Sequence, residues 1–194
     1  MSTLENVNLT GHLLIAMPGM TDPFFSKSVT FICTHNQAVA MGVMINRPTD
    51  LSYETLFEKI KVDLAQSELA VNTVLYGGPV QPERGFVLHE HSGEWDSTLS
   101  IAENTALTTS KDILESVAIG TGPKKMLLAL GYAGWTAGQL EQEIAANSWL
   151  SVQAKDGETL HKILFECKAE DKLNASLALL GVNPAMLSDV AGHA

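Results

Sequence analysis

Apolar and polar residues alternate most cleanly in "SVTFICTH", where Val29, Phe31 and Cys33 fall on one face and Thr30, Ile32 and Thr34 on the other. A repeat of two is the signature of a strand, and this one is apolar enough to be mostly buried. After a turn at Asn36 and Gln37, "VAMGVMIN" reads as its antiparallel partner, stopped by Asn46, Arg47 and Pro48 because proline donates no N–H to a ladder. "GHLLIAMPG" predicts a shorter strand closed by Pro18 and Gly19. "TVLYGGPV", "GFVLHEH", "STLSIA" and "WLSVQA" predict further strands, and the unbroken apolar run of "KKMLLALGYA" predicts a central one.

Helical spacing appears in other stretches. Leu56, Phe57 and Ile60 follow a capping Ser52, and Ile113, Leu114 and Val117 follow Thr109 and Asp112, which resemble a capping box. Thr136 and Gln139 form a second such box, opening a helix from about Ala137 to Asn147 that buries Leu140 and Ile144 and exposes Glu141, Gln142 and Glu143. "GETLHKILFE" is a helix, and Leu173, Leu177 and Leu180 mark a last long one ended by Gly181. Strands gather early, helices dominate late, and no repeat or linker intervenes. The expectation is one α+β domain over residues 1–194.

Charge narrows the range of partners. The formal net charge is -10, with 5 basic and 11 acidic side chains in residues 1–97 and 7 and 11 in residues 98–194. Binding to DNA or RNA rests on Lys and Arg at phosphates, so direct nucleic-acid binding is disfavoured. Cys33 and Cys167 form no CxxC pair, which suits a reducing compartment. The N-terminal stretch does not read as a signal peptide, and no apolar run approaches the roughly 20 residues that span a bilayer. The expectation is a cytoplasmic protein with no membrane contact.

Candidate chemistry is sparse. "LALGYAGWTAGQLEQEI" sets Gly131, Gly134 and Gly138 around Trp135 where a strand turns into a helix, a place that admits either close packing or a small anionic ligand at the helix start. Cys33 and His35, two apart on a strand, suggest a thiol beside a base, although a buried structural cysteine is the commoner arrangement. His89 and His91 share a predicted strand face, with His35 or Glu94 as a third metal ligand, but the spacing fixes no third ligand and no metal site is assigned. Gly77 and Gly78 lack the Lys and Ser or Thr of a phosphate loop, and Pro79 removes a donor. The "GTGPKK" stretch precedes a strand and has Lys125 where a dinucleotide fingerprint needs its third glycine. Asp22, Ser26, Asn46 and Arg47 sit in two loops suited to lining a cleft, with Phe24 and Phe25 expected to fold back onto apolar surface. No cofactor is implied.

Taken together, "AMPGMTDPFFSKSVTFICTHN", "AMGVMINRP", "YGGPV" with "RGFVLHE", "TTSKDIL", "LALGYAGWTAGQLEQEI" with "NSWL", and the final "AGHA" resemble the YqgE/AlgH family of small bacterial proteins, in order from about Leu9 to Ala194. Val39 stands where the family's hairpin usually has glycine, and Leu173 where a tryptophan is common. The resemblance implies an α+β fold with a bifurcated mixed, mostly antiparallel sheet curled into a pseudo-barrel with helices packed around it. It supplies no catalytic residues, and one branch of the family is named as a regulator of alginate genes.

Three readings of function follow. The first is a regulatory or adaptor protein that meets a protein partner or a small anionic ligand through Asn46, Arg47, Gly77, Gly78, His89, Gly131, Gly134, Trp135 and Gly138. The second is an enzyme of unknown reaction using His35, His89 or Cys33. The third, disfavoured by charge, is a direct DNA-binding regulator. The first depends on whether the glycine-rich turns meet in space.

Overall fold

The computed structural model describes residues 7–182 and 187; the final "AGHA" lies outside them. The strands are β1 (Leu13–Ala16), β2 (Val29–His35), β3 (Val39–Met44), β4 (Pro48–Ser52), β5 (Thr73–Tyr76), β6 (Val80–Glu90), β7 (Thr98–Ala102), β8 (Thr105–Thr108), β9 (Met126–Thr136) and β10 (Trp149–Val152). The helices are α1 (Tyr53–Lys59), α2 (Lys111–Ala118), α3 (Gln139–Ala145), α4 (Gly157–His161) and α5 (Lys172–Ala178).

All ten strands belong to one curled sheet with the path β10-β1-β2-β3-β9-β6-β8-β7. It forks at β9. The end of β9, Ala133 to Thr136, pairs with β3, while its first part pairs with β6 on one side and, in parallel, with β5 on the other. Strand β4 hangs from β5. Every other pairing is antiparallel, so the sheet is mixed, mostly antiparallel and bifurcated, as the family resemblance implied.

Glycines make the fork. Gly131 adopts φ +75, a left-handed conformation that bends β9 where its partners change and that side chains with a Cβ resist. A Cβ there would strike the Gly78 carbonyl oxygen, and one on Gly77 would strike the Gly131 carbonyl oxygen. Two backbones therefore cross in contact.

Three apolar clusters fill the concavities. Phe31, Cys33, Leu88 and Leu164 lie in the first, Trp135, Trp149, Leu140 and Ile32 in the second under α3, and Tyr53, Phe57, Val117 and Leu128 in the third under α1 and α2. Consecutive residues of β2 supply different clusters, as the alternation in "SVTFICTH" required.

Several local expectations change. Strand β3 ends at Met44, ahead of Asn46, Arg47 and Pro48 as expected, but Pro48 also opens β4, whose ladder partner is β5 alone, a place where a missing N–H costs little. The buried tetrapeptide of β8, "TALT", carries no helical or strand period long enough to read, yet pairs with both β6 and β7. Ser110, not Thr109, precedes α2; the Thr109 hydroxyl accepts from Arg84 instead, and Asp112 accepts from the Ile113 and Asp96 amides. "GETLHKILFE" begins as α4, capped by Asp156, and continues as a π-helical turn over Lys162–Glu166. Helix α5 stops at Ala178, so Leu180 lies beyond it and 38 % exposed.

Candidate functional site

The stretch around Gly131 and Gly134 is strand, not turn. Both glycines lie inside β9, Gly134 opposite Met41, and only Gly138, at φ +72, turns the chain into α3. The capping box is half formed: Gln139 reaches back to accept from the Thr136 amide, but the residue before the helix is Gly138, with no side chain. Trp135 is buried, edge-on to Trp149 at 5.9 Å and tilted against Phe25. Its indole and that of Trp149 both donate to the Glu143 carboxylate, at 2.9 and 2.8 Å, so the two polar N–H groups are satisfied where the rings are buried. Glu143 and Glu141, expected on the solvent face of α3, are both half-buried and hydrogen-bonded. Packing accounts for Trp135, the Tyr132 ring lies close beside Gly134, and the left-handed backbone at φ +72 accounts for Gly138.

The nucleophile reading of Cys33 fails. The β2–β3 register shifts between Ile32 and Thr34, and that bulge turns His35 away from the face Cys33 occupies. Cys33 lies in the first cluster, where burial pushes its thiol up to about 12. His35 accepts the Leu9 amide at Nδ1, so its proton sits on Nε2, which donates to Glu141 at 2.8 Å. A thiol reagent should therefore label Cys167 in the folded protein and Cys33 only on unfolding, measured by mass spectrometry; labelling of both at equal rates under native conditions would show the thiol to be accessible.

The metal and base reading of His89 fails too. Its ring is fully buried, with Nδ1 donating to the Glu90 carbonyl at 2.7 Å and Nε2 accepting from the Thr108 hydroxyl at 2.9 Å, while Trp95 packs edge-on at 5.1 Å. Burial holds its pKa below the ordinary histidine value. His91 lies past the end of β6 in an exposed bend, so the two imidazoles do not share a strand face. Among the described residues no three His, Cys, Asp or Glu side chains gather as a metal site.

What does converge is the group of loops beside the fork. The Met44 amide donates to the Gly77 carbonyl and the Tyr76 amide to the Arg47 carbonyl, so the Asn46–Pro48 loop, the Gly77–Pro79 turn and Gly131 meet. Asn46 ties the neighbouring loop down, accepting from the Val29 amide and donating to the Lys27 carbonyl. Arg47 reaches across to donate to the carbonyls of Pro23 (2.9 Å) and Ser26 (2.6 Å). Asp22 accepts from the Phe24 and Phe25 amides and shapes the same loop.

The two phenylalanines part company. Phe25 packs edge-on to Trp149 at 5.5 Å, whereas Phe24 stays 48 % exposed and stacks on Tyr76 with ring centres 6.1 Å apart. Burial raises the Tyr76 hydroxyl pKa, the nearby Arg47 charge opposes this, and Asp22 adds to it. The result is a small face of Phe24, Tyr76 and Arg47. Sequence reading singled out Arg47 but passed over Tyr76 as one more strand residue, and the only signal available was an aromatic directly before "GGP".

The class of protein is set by the forked sheet: an α+β fold in which the candidate catalytic groups are engaged internally and an aromatic and arginine face lies beside the fork. Residues 13–185 match the family described as AlgH-like. The chain is 54 % identical over 188 residues to a UPF0301 protein of Ralstonia nicotianae, covering 97 % of this chain and 96 % of the relative, and 51 % identical over 191 residues to one of Thiobacillus denitrificans, covering 98 % and 100 %. The solution structure of the AlgH protein from Pseudomonas aeruginosa is similar along the whole of both chains, with 44 % identity and a TM-score of 0.78. A Corynebacterium diphtheriae protein shares the fold at 23 % identity over 79 % of each chain, with a TM-score of 0.60. The chain belongs to the YqgE/AlgH family.

Proposed function

We propose that the chain acts as one domain over residues 1–194, a cytoplasmic regulatory or adaptor protein that meets an anionic group of a partner or small ligand at the Phe24, Tyr76 and Arg47 face. The observation that carries this reading is the half-buried Arg47 guanidinium. Two of its five N–H donors go to loop carbonyls, and it pairs with no carboxylate among the described residues. In a chain of net charge -10, a fixed cation near a stacked aromatic pair favours a carboxylate or phosphate with an apolar neighbour, the combination that concentrates binding energy at interfaces.

Catalysis by Cys33, His35 or His89 has no support from their environments, because each is buried and already bonded. No helix among the described residues is long and apolar enough to cross a membrane. The acidic balance weighs against direct DNA binding.

The test is a thermal-shift screen of anionic metabolites and phosphates, followed by affinity capture with wild-type and variant protein. Phe24→Ala removes an exposed ring and should change stability by no more than about 0.5 kcal/mol, while weakening a bound ligand or partner about tenfold or more. Arg47→Ala should abolish the interaction. A ligand or partner retained at full affinity by both variants would place the contact elsewhere.

A further inference from the structure

Two adjacent polar groups are buried without partners. The hydroxyls of Ser28 and Thr30 are fully buried, and neither makes a hydrogen bond among the described residues. Standing two residues apart, they share with Ile32 the face of the strand that builds the second cluster. Thr30 lies across from Leu14, and the Ser28 carbonyl accepts from the Ala16 amide, both residues being apolar members of that cluster. A hydroxyl placed there gives up water and regains nothing, so two of them side by side call for an explanation beyond packing.

Residues 19–27 cover this face. Met20 and Phe25 pack against the cluster, while most of the segment is exposed. Its backbone hydrogen bonds are local: the Met20 amide donates to Met17, those of Phe25 and Ser26 to Asp22, and that of Ser28 back to Phe25. Among the described residues no backbone hydrogen bond joins residues 19–27 to a strand. Two side chains hold the segment instead. Asn46 donates to the Lys27 carbonyl, and Arg47 to those of Pro23 and Ser26. Asn46 also accepts from the amide of Val29, between the two hydroxyl residues, which sets its neighbour Arg47 beside them. Directly before Ser28, Lys27 holds φ +59, a left-handed conformation that a residue with a Cβ resists. A segment pinned by side chains and ending in a strained joint is released when its main pin is drawn away.

We infer that residues 19–27 are a movable cover over a phosphate site, in which Arg47 leaves the Pro23 and Ser26 carbonyls for phosphate oxygens and the uncovered Ser28 and Thr30 hydroxyls donate to the remaining ones. The inference rests on the anion reading of Arg47 and adds to it the ligand class and a gate. A carboxylate has two oxygens, both of which the guanidinium fork can occupy, whereas a phosphate keeps others for the hydroxyls.

Amide hydrogen exchange of the full-length protein at pH 7 reads the cover directly. Arg47→Ala should speed exchange at the Ser26 and Ser28 amides about tenfold or more, with the Phe31 and Leu88 amides of the paired strands unchanged. In the wild type, inorganic phosphate should speed the same two amides saturably, and acetate at equal ionic strength should not. Thr30→Val removes a hydroxyl and keeps the shape. It should weaken phosphate about tenfold while leaving the protein at least as stable as wild type, because the group it removes is unpaired in the closed state. Wild-type exchange rates in Arg47→Ala would overturn the cover. Equal responses to acetate and phosphate, or full phosphate affinity in a destabilised Thr30→Val, would overturn the site. Loosening by Arg47→Ala without any response to phosphate would sink the anion reading and leave the cover standing, whereas phosphate binding with both amides at unchanged rates would keep that reading and sink the gate. If Arg47→Ala fails to fold, Thr30→Val and the comparison of phosphate with acetate decide it.

Discussion

Gly131→Ala is expected to destabilise the protein by about 3–5 kcal/mol, a large part of the roughly 5–15 kcal/mol that holds a domain of ordinary stability together. Two costs combine. At φ +75 a residue with a Cβ gives up about 1–2 kcal/mol, and here the added carbon also meets the Gly78 carbonyl oxygen, a backbone atom that no side-chain rotation can move. Gly78 is itself pressed against the Tyr132 and Ala133 backbone, so the strain has no local outlet. Gly85→Ala is the control: it lies in the same sheet on β6, with no heavy atom within 4 Å of the added carbon, and should be neutral or slightly stabilising. Urea unfolding of the three proteins reads the difference. A loss below about 1 kcal/mol for Gly131→Ala would mean that the crossing of the two backbones does not hold the fork.

Lys172 should make stability depend on pH in an unusual direction. Its side chain is 2 % exposed, its ammonium donates to the Leu164 carbonyl, and no carboxylate pairs with it among the described residues. Burial lowers its pKa from 10.5 to about 8, with Cys167 nearby opposing the shift. Between these two values the unfolded chain holds a proton that the folded chain has released, so this group's contribution to stability rises with pH across that window. Below pH 8 both states are protonated and the full cost of the buried charge is present; above about 10.5 neither is, and the cost is gone. The span is on the order of 3 kcal/mol. Lys172→Met keeps the chain length without the titrating group, so wild-type stability should gain on the variant from pH 8 upward. Parallel stability curves for the two proteins over that range would show that Lys172 does not change its protonation on folding.

The sequence determined more of the framework than of the site. Alternation in "SVTFICTH", the apolar run entering β9 and the helical spacing behind Ser52 each report which face of an element is buried, a property a residue carries by type and local spacing. Net charge shaped the expectation about partners without any structure. Short or exceptional elements escaped: β4 begins on a proline that an edge pairing tolerates, and β8 is held by strands on both sides rather than by its own pattern.

The site was decided by contacts between segments far apart in the chain. Nothing near Gly131 announces that Gly78 will press against it, and nothing in "TVLY" announces that Phe24 will stack on Tyr76 beside Arg47. The β2 bulge shows the same limit. Two residues apart on an ideal strand means one shared face, but one irregularity in pairing with β3 sent Cys33 into the core and His35 to Glu141. Local pattern fixes what a residue prefers to bury, whereas register and chain crossing fix which residues meet, and only the folded backbone sets those.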